Sequence, residues 1–320
     1  MATLANTKVT ADATGNREQL DDKISRIYAA MMPFTASAGK GKATAINPNW
    51  LTETVRAPTL TNAGLEGDTA NITAPSNRVR VQGKTQIFRE GGSVSGTQEA
   101  VDKAGVASEF ARQKLIKGLA LGLDRELTYV SSQASADEVA ATTGRKTGGV
   151  LSWVDTNSSR GVGGADGGYS SGDTTAPTTG TNRTFTETLF KVVLKSMFDN
   201  GAVGNKTALM ASGLKETAST FTGISDIRTQ VSGRNKAIIH AAADVYVSDF
   251  GDVSMMAVQH GLAEECLIYK PSTVSKLTLR ATKSSPLANV GDSKEFEIVG
   301  EDALKIANSK EIGVVADITA

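Results

Sequence analysis

The chain has 320 residues, 39% of them hydrophobic, and its 34 basic and 34 acidic side chains cancel. That composition excludes global disorder, and a balanced charge gives no bulk pull on nucleic acid. Aromatics at 5% are too sparse for stacking along single strands, and the lone Cys266 excludes an intrachain disulfide or a cysteine zinc site.

Residues 1–50 are polar and weakly periodic, with Gly39-Lys40-Gly41-Lys42 as a basic patch. Gly15-Asn16-Arg17-Glu18 followed by Leu20 predicts a short helix that ends near Met32, stopped by Pro33. Such a segment cannot bury a core alone, so it is a tail or an arm that orders against something else. The run 24–34 followed by Ala36-Ser37-Ala38 has the outline of an export signal. Asp21 and Asp22 stand where positive charge belongs and Arg26 interrupts the run, so the expectation is a cytoplasmic origin.

Residues 50–94 predict an extended hairpin. Trp50-Leu51-Thr52-Glu53-Thr54-Val55 leads out, Pro58 breaks the run, Gly64 and Glu66-Gly67-Asp68 make the tip, and Arg78-Val79-Arg80-Val81 alternates on the return. Arg56, Arg78, Arg80 and Arg89 decorate it. A two-stranded ribbon is marginal alone and needs a surface, its own domain's or a neighbour's.

The stretch 94–132 predicts one long amphipathic helix, roughly 50 Å if unbroken. Ser95 and Gln98 have capping-box spacing, and Val101, Ala104, Ala111, Leu115, Leu119, Leu123, Leu127 and Val130 recur on one face, interrupted only by Ser108. Glu99–Lys103 and Glu109–Arg112 have the spacing of helix-surface ion pairs. Gly105, Gly118 and Gly122 cost about 1 kcal/mol each in a helix interior and point to close packing or a bend.

Gly148-Gly149-Val150-Leu151-Ser152-Trp153 then carries the chain back, and 156–183 has the Gly/Ser/Thr composition of a long loop. A second helix follows, with Thr184 and Glu187 as capping box, Phe185, Leu189, Val193 and Met197 on one face, and Asn200-Gly201 at its end. Between 205 and 285, Ala208-Leu209-Met210 and Cys266-Leu267-Ile268-Tyr269 read as buried strands. Val245 with Val247, and Leu277 with Leu279, read as half-buried ones. Phe296-Glu297-Ile298-Val299 and Ile312-Gly313-Val314-Val315 add strands near the end. The class is α+β.

Several motifs are incomplete. The glycine run 161–168 is not followed by a helix, as a phosphate-binding loop would be. Gly83-Lys84-Thr85 lacks the first P-loop glycine, since Arg78 holds that place. Asp249-Phe250-Gly251 lacks the rest of a kinase set and fits a hairpin turning through Gly251-Asp252. His240 and His260 are the only histidines, and neither belongs to a catalytic or metal-ligating pattern. The residue chemistry predicts no catalytic, cofactor or metal site.

Gly15-Asn16-Arg17-Glu18, Trp50-Leu51-Thr52 and Glu66-Gly67 precede Val94-Ser95-Gly96-Thr97 with Ala100, Gly105, Glu109 and Gln113. Asp124, Glu126, Gly148-Gly149, Trp153 and Ile298-Val299-Gly300-Glu301 continue the series. In these residues, and in the order of its parts, the chain resembles the major capsid proteins of tailed bacteriophages with the Hong Kong 97-type fold, over nearly its whole length.

The resemblance implies an N-terminal arm (1–50), an extended E-loop (51–94) and a peripheral domain with a spine helix and a Gly/Ser/Thr-rich insertion (95–204). An axial domain (205–285) and return strands (286–320) complete it. It implies a structural protein, not an enzyme, that forms hexamers and pentamers closing into an icosahedral shell around double-stranded DNA, without sequence-specific binding or membrane. Scaffold, portal and decoration proteins are the expected partners, and assembly is expected in the host bacterial cytoplasm. Arg56, Glu66, Arg78, Arg80, Lys84 and Arg89 are the candidate intersubunit contacts, Lys84 also being the candidate donor if the shell is cross-linked to Asn. The alternatives are a cellular protein-compartment shell of the same fold and a secreted adhesive protein, the latter suggested by the Gly/Ser/Thr loop.

Overall fold

The computed structural model describes residues 31–70, 72, 74, 76–103, 105–140, 142–221, 245–289 and 291–320. His240 and the helix expected ahead of Met32 lie outside them.

Near-continuous apolar runs form the central strands. β9 (Lys206–Ala211), β12 (Cys266–Tyr269) and β15 (Ile312–Val315) lie in a mixed six-stranded sheet of order β10 (Val245–Ser248), β11 (Gly251–Val258), β9, β12, β15, β5 (Ser158–Ser159). Alternate side chains enter two different cores: Leu209, Leu267, Tyr269, Ile312 and Val314 enter one, and Ala208, Met210, Cys266, Ile268 and Val315 the other. A sheet covered on both faces needs no polar alternation, which is why these strands read as unbroken hydrophobic runs. The second core is closed by α4 (Glu187–Asp199) and α5 (Ser212–Ala218).

The first core lies between that sheet and a four-stranded one of order β1 (Gly39–Lys42), β13 (Val274–Pro286), β14 (Ser293–Ile306), β4 (Gln86–Ser95). β1 joins in parallel and the other pairs are antiparallel. Three two-stranded pairs complete the sheets: β2 (Asn49–Thr52) with β3 (Val79–Gln82), β6 (Gly168–Ser170) with β7 (Asp173–Thr175), and β8 (Arg183–Thr184) with β16 (Ile318–Thr319).

The expected continuous spine is two helices. α2 (Gly96–Ala100) starts at Ser95, whose hydroxyl accepts from Gln98 N, and α3 runs over Glu109–Val130. Gly105 between them has φ +72°, which no helix tolerates. Ser108, the apparent flaw in the stripe, is the α3 N-cap: Oγ accepts from Ala111 N at 3.2 Å. Glu99 joins it from α2, accepting from Ser108 Oγ at 2.7 Å and Glu109 N at 3.0 Å. These hydrogen bonds, the one from Ser108 first, hold the Glu99 carboxyl below its ordinary pKa despite desolvation.

The buried face of α3 also differs from the expected stripe. Leu115 and Leu127 are exposed, while Leu121, Arg125, Glu126, Tyr129 and Val130 are buried. Two ionisable side chains are inside because each finds a fixed partner: Arg125 the Asp302 carboxylate at 3.2 Å, Glu126 the amides that open α1 (Pro33–Ser37). Pro33 is the first residue of α1. The close approach expected at the helix glycines is present at Gly122, where a Cβ would lie 2.9 Å from Met32 Sδ.

α4 is capped by Thr186, not Thr184, which pairs in β8. Phe185, just before the cap, packs on Phe190 with ring centroids 6.3 Å apart, a hydrophobic staple. The 156–183 segment is ordered on the body through β5–β8. The Asp249-Phe250-Gly251 triplet is a β10–β11 hairpin turn, centred on Asp249-Phe250.

Candidate intersubunit surface

β2 and β3 pair over only four residues, from Asn49↔Gln82 to Thr52↔Val79. Beyond them the chain runs from 53 to 78 with no strand pairing among the described residues. Val55 (95% exposed), Leu60 (104%), Leu65 (82%) and Ile72 (92%) stand clear of the body. Leu51 and Val79 at its base are also exposed. Single exposed apolar residues are ordinary, but six on one projecting segment mark a contact surface.

The candidate charged residues distribute over this segment and its return. Arg56 is exposed, its Nη1 donating to the neighbouring Ala57 carbonyl at 3.3 Å, and Glu66 and Arg80 are exposed. Arg78 meets Glu53 across the strands at 3.3 Å, and Arg89 on β4 meets Glu297 on β14 at 3.4 Å. Both pairs are mostly solvated, so each contributes little, ~0–1 kcal/mol, and leaves the charges available to a partner.

Lys84 differs from the others. It is 2% exposed, drawn inward between Asp137 at 2.7 Å and Asp173. Burial alone would lower the ammonium pKa, but the hydrogen bonds it donates to the two carboxylates outweigh it and hold it above the ordinary 10.5. A buried, doubly paired ammonium is held within its own chain. Its neighbour Thr85 donates to Glu301 at 2.7 Å, and Glu301 also accepts from Arg145 and Arg280, each at 2.9 Å. Burial would raise the Glu301 carboxyl, yet Thr85, Arg280 and Arg145 together hold it below its usual range.

The root of the projecting loop is therefore densely hydrogen-bonded. Further amides add to it: Gly83 N donates to Pro48 O at 2.9 Å and Thr85 N to Ile46 O at 3.0 Å. Local sequence cannot show this, because Asp137, Asp173 and Glu301 are 53 or more positions from Lys84. Among the described residues, no three His, Cys, Asp or Glu side chains are grouped to hold a metal ion, and no helix is long and apolar enough to cross a membrane.

The base of the loop is thus tied to the body, and its apolar side chains are uncovered. A family model described as SU10 major capsid protein matches residues 5–319. The chain belongs to this family.

It is a structural subunit of a phage capsid, a component of the virion that assembles with copies of itself, and not an enzyme. Similar solved structures include the capsid of a native GTA particle (13% identity, TM-score 0.61, covering 98% of this chain and 100% of that one). The capsid of cyanophage A-1(L) is similar at 11% identity and TM-score 0.61, covering 98% and 99%. That of cyanophage Pam1 is similar at 12% and 0.59, also covering 98% and 99%. At these identities the likeness establishes the fold, which is the α+β Hong Kong 97-type fold. No curated protein matches the chain. Membership in a capsid family sets aside the compartment-shell and adhesive alternatives.

Proposed function

We propose that this major capsid protein forms hexamers and pentamers that close into an icosahedral shell around double-stranded DNA, and that the 53–78 loop lies across a neighbouring subunit. The uncovered apolar row at Val55, Leu60, Leu65 and Ile72 carries this reading, since burying each side chain would contribute about 1.5–3 kcal/mol. Arg56, Glu66, Arg78, Arg80 and Arg89 flank that row as charges for adjacent subunits. Lys84 is left out of the contact set, because it is occupied within the chain.

In this reading 1–50 is the arm, 51–94 the E-loop, 95–204 the peripheral domain, 205–285 the axial domain and 286–320 the return strands. The projecting part of the E-loop is 53–78, and its last residues, β4, belong to the four-stranded sheet. Assembly takes place in the host bacterial cytoplasm with scaffold and portal proteins, and decoration proteins attach to the finished shell.

Sedimentation of the purified protein, with negative-stain imaging of the fast fraction, tests the proposal. Closed angular shells or rings of five and six are expected from the parent. Arg78→Glu/Arg80→Glu should lose them while melting at the parent temperature. Normal shells from that variant would remove the arginines from the contact, and a parent that stays monomeric with scaffold and portal supplied would overturn the shell reading.

A further inference from the structure

The Gly/Ser/Thr-rich composition of 156–183 implies a loop and nothing about its purpose. Its β6–β7 hairpin nevertheless has a fixed shape. Ser171 (φ 55°) and Gly172 (φ 103°) make a two-residue turn with both central residues left-handed, the I′ geometry that matches the twist of paired strands.

Side chains from this hairpin hold the returning strand at the root of the projecting loop directly and the outgoing one through Trp153. Tyr169 Oη accepts from Gln82 N, the last residue of β3, at 3.0 Å. Asp173 pairs with Lys84, two residues farther along. The Tyr169 ring stacks flat on Trp153, with centroids 5.3 Å apart and planes 2° apart, and Trp153 meets Trp50 on β2 at 5.8 Å. The outgoing strand is thus held through Trp50–Trp153–Tyr169, and the returning strand through Tyr169 and Asp173.

We propose that the β6–β7 hairpin is a positioning clamp that sets the direction in which the 53–78 loop leaves the body, with Tyr169, Asp173 and Lys84 as its positioning residues. This rests on the reading of that loop as the reach to a neighbouring copy. The mechanical argument is leverage. About 13 residues out and back, at about 3.3 Å each, give a reach of at most about 40 Å, so a swing of about 10° at the root moves the tip by about 7 Å. A displacement of that size separates any van der Waals contact made at the tip. The four-residue β2–β3 pairing cannot resist such a swing alone. Bolts placed beside it, on a hairpin of the body, can. Asp137 supplies a second hold on Lys84 at 2.7 Å from outside the hairpin, so the ammonium joins three chain segments.

The test reads loop direction in the unassembled full-length chain. Spin labels at Glu66→Cys on the loop tip and Lys195→Cys on α4 give their separation by pulsed electron paramagnetic resonance, Cys266 being buried and unlabelled. The parent should give one narrow distance distribution. Tyr169→Phe/Lys84→Met should widen it at least twofold, and Lys84→Arg, which keeps the charge, should restore most of the narrowing. Should Lys84→Met not fold, Tyr169→Phe/Asp173→Asn serves with the same expectation. A parent distribution already broad, or a variant as narrow as the parent, overturns the clamp. A parent that never forms shells, but whose loop widens in the variant as described, overturns the shell reading and leaves the clamp standing.

Discussion

Glu126 caps a helix from far along the chain: its Oε1 accepts from Phe34 N, 92 residues before it, at 2.7 Å, and its Oε2 accepts from Thr35 N at 2.8 Å. Thr35 Oγ1 donates to the same oxygen at 2.5 Å. α1 has no side-chain cap of its own at Met32, so a carboxylate on α3 supplies one. That ties the α1–β1 segment to the spine. Glu126→Ala should destabilise the chain by about 2–4 kcal/mol, since it orphans buried amides. Hydrogen exchange should rise first at Ala36, Ala38 and Ala43, whose amides bond to Met32, Phe34 and Thr278. Uniform loss of protection across the chain would argue against a local anchor.

Arg125 and Asp302 form an ion pair at 3.2 Å with side chains 9% and 1% exposed, and the guanidinium also lies 5.3 Å from the Phe88 ring centroid. Removing one partner strands a charge in the first core. Asp302→Ala should therefore cost about 3–5 kcal/mol in urea unfolding, and Arg125→Met/Asp302→Leu should recover most of it. If the double replacement were as unstable as the single one, packing and not charge would set the cost.

Two groups at the loop root give the stability a defined pH response. Glu301 titrates below its ordinary 4.5 in the folded chain, so its contribution is present above that pH and is lost as pH falls through the depressed value. Lys84 titrates above 10.5, so its contribution is present below that pH and is lost as pH climbs past it. Measured against the parent, Glu301→Gln should lose its deficit only in acid below pH 4.5, and Lys84→Met only in alkali above pH 10.5. A deficit that stays constant through both windows would contradict the assignments.

The break between α2 and α3 can be tested by giving it a better helix former. In one continuous helix Gly105→Ala would stabilise by about 1 kcal/mol. At φ +72° it should destabilise by about that amount or more, read as a lower melting temperature.

Strand positions and most helix positions were legible because burial writes a local period. Ala208-Leu209-Met210 and Cys266-Leu267-Ile268-Tyr269 sit where their apolar runs placed them, and the Trp50–Val55 and Arg78–Val81 runs do pair at their bases. The spine shows where local reading fails. Ser108, read from the apolar period as an interruption of the stripe, is the cap of α3, with Glu109 in the first turn behind it. The true inner face holds Arg125 and Glu126, and no periodicity of hydrophobic residues can show a buried charge whose partner is Asp302 or Phe34 N. Thr184 and Thr186 both precede acceptable first turns, and the Phe185–Phe190 staple decides between them. The loop's exposed apolar row was within reach of the sequence. Its clamp was not, because Gln82, Lys84, Asp137, Tyr169 and Asp173 meet only in three dimensions.

The most direct test of the account is an electron cryo-microscopy reconstruction of the assembled particle, read at the 53–78 loop. The account predicts Leu60, Leu65 and Ile72 of one subunit buried against a neighbouring copy, with Arg78 or Arg80 within ion-pair distance of that neighbour's carboxylates. A shell in which these residues remain exposed to solvent, with the subunits joined through other surfaces, would contradict it.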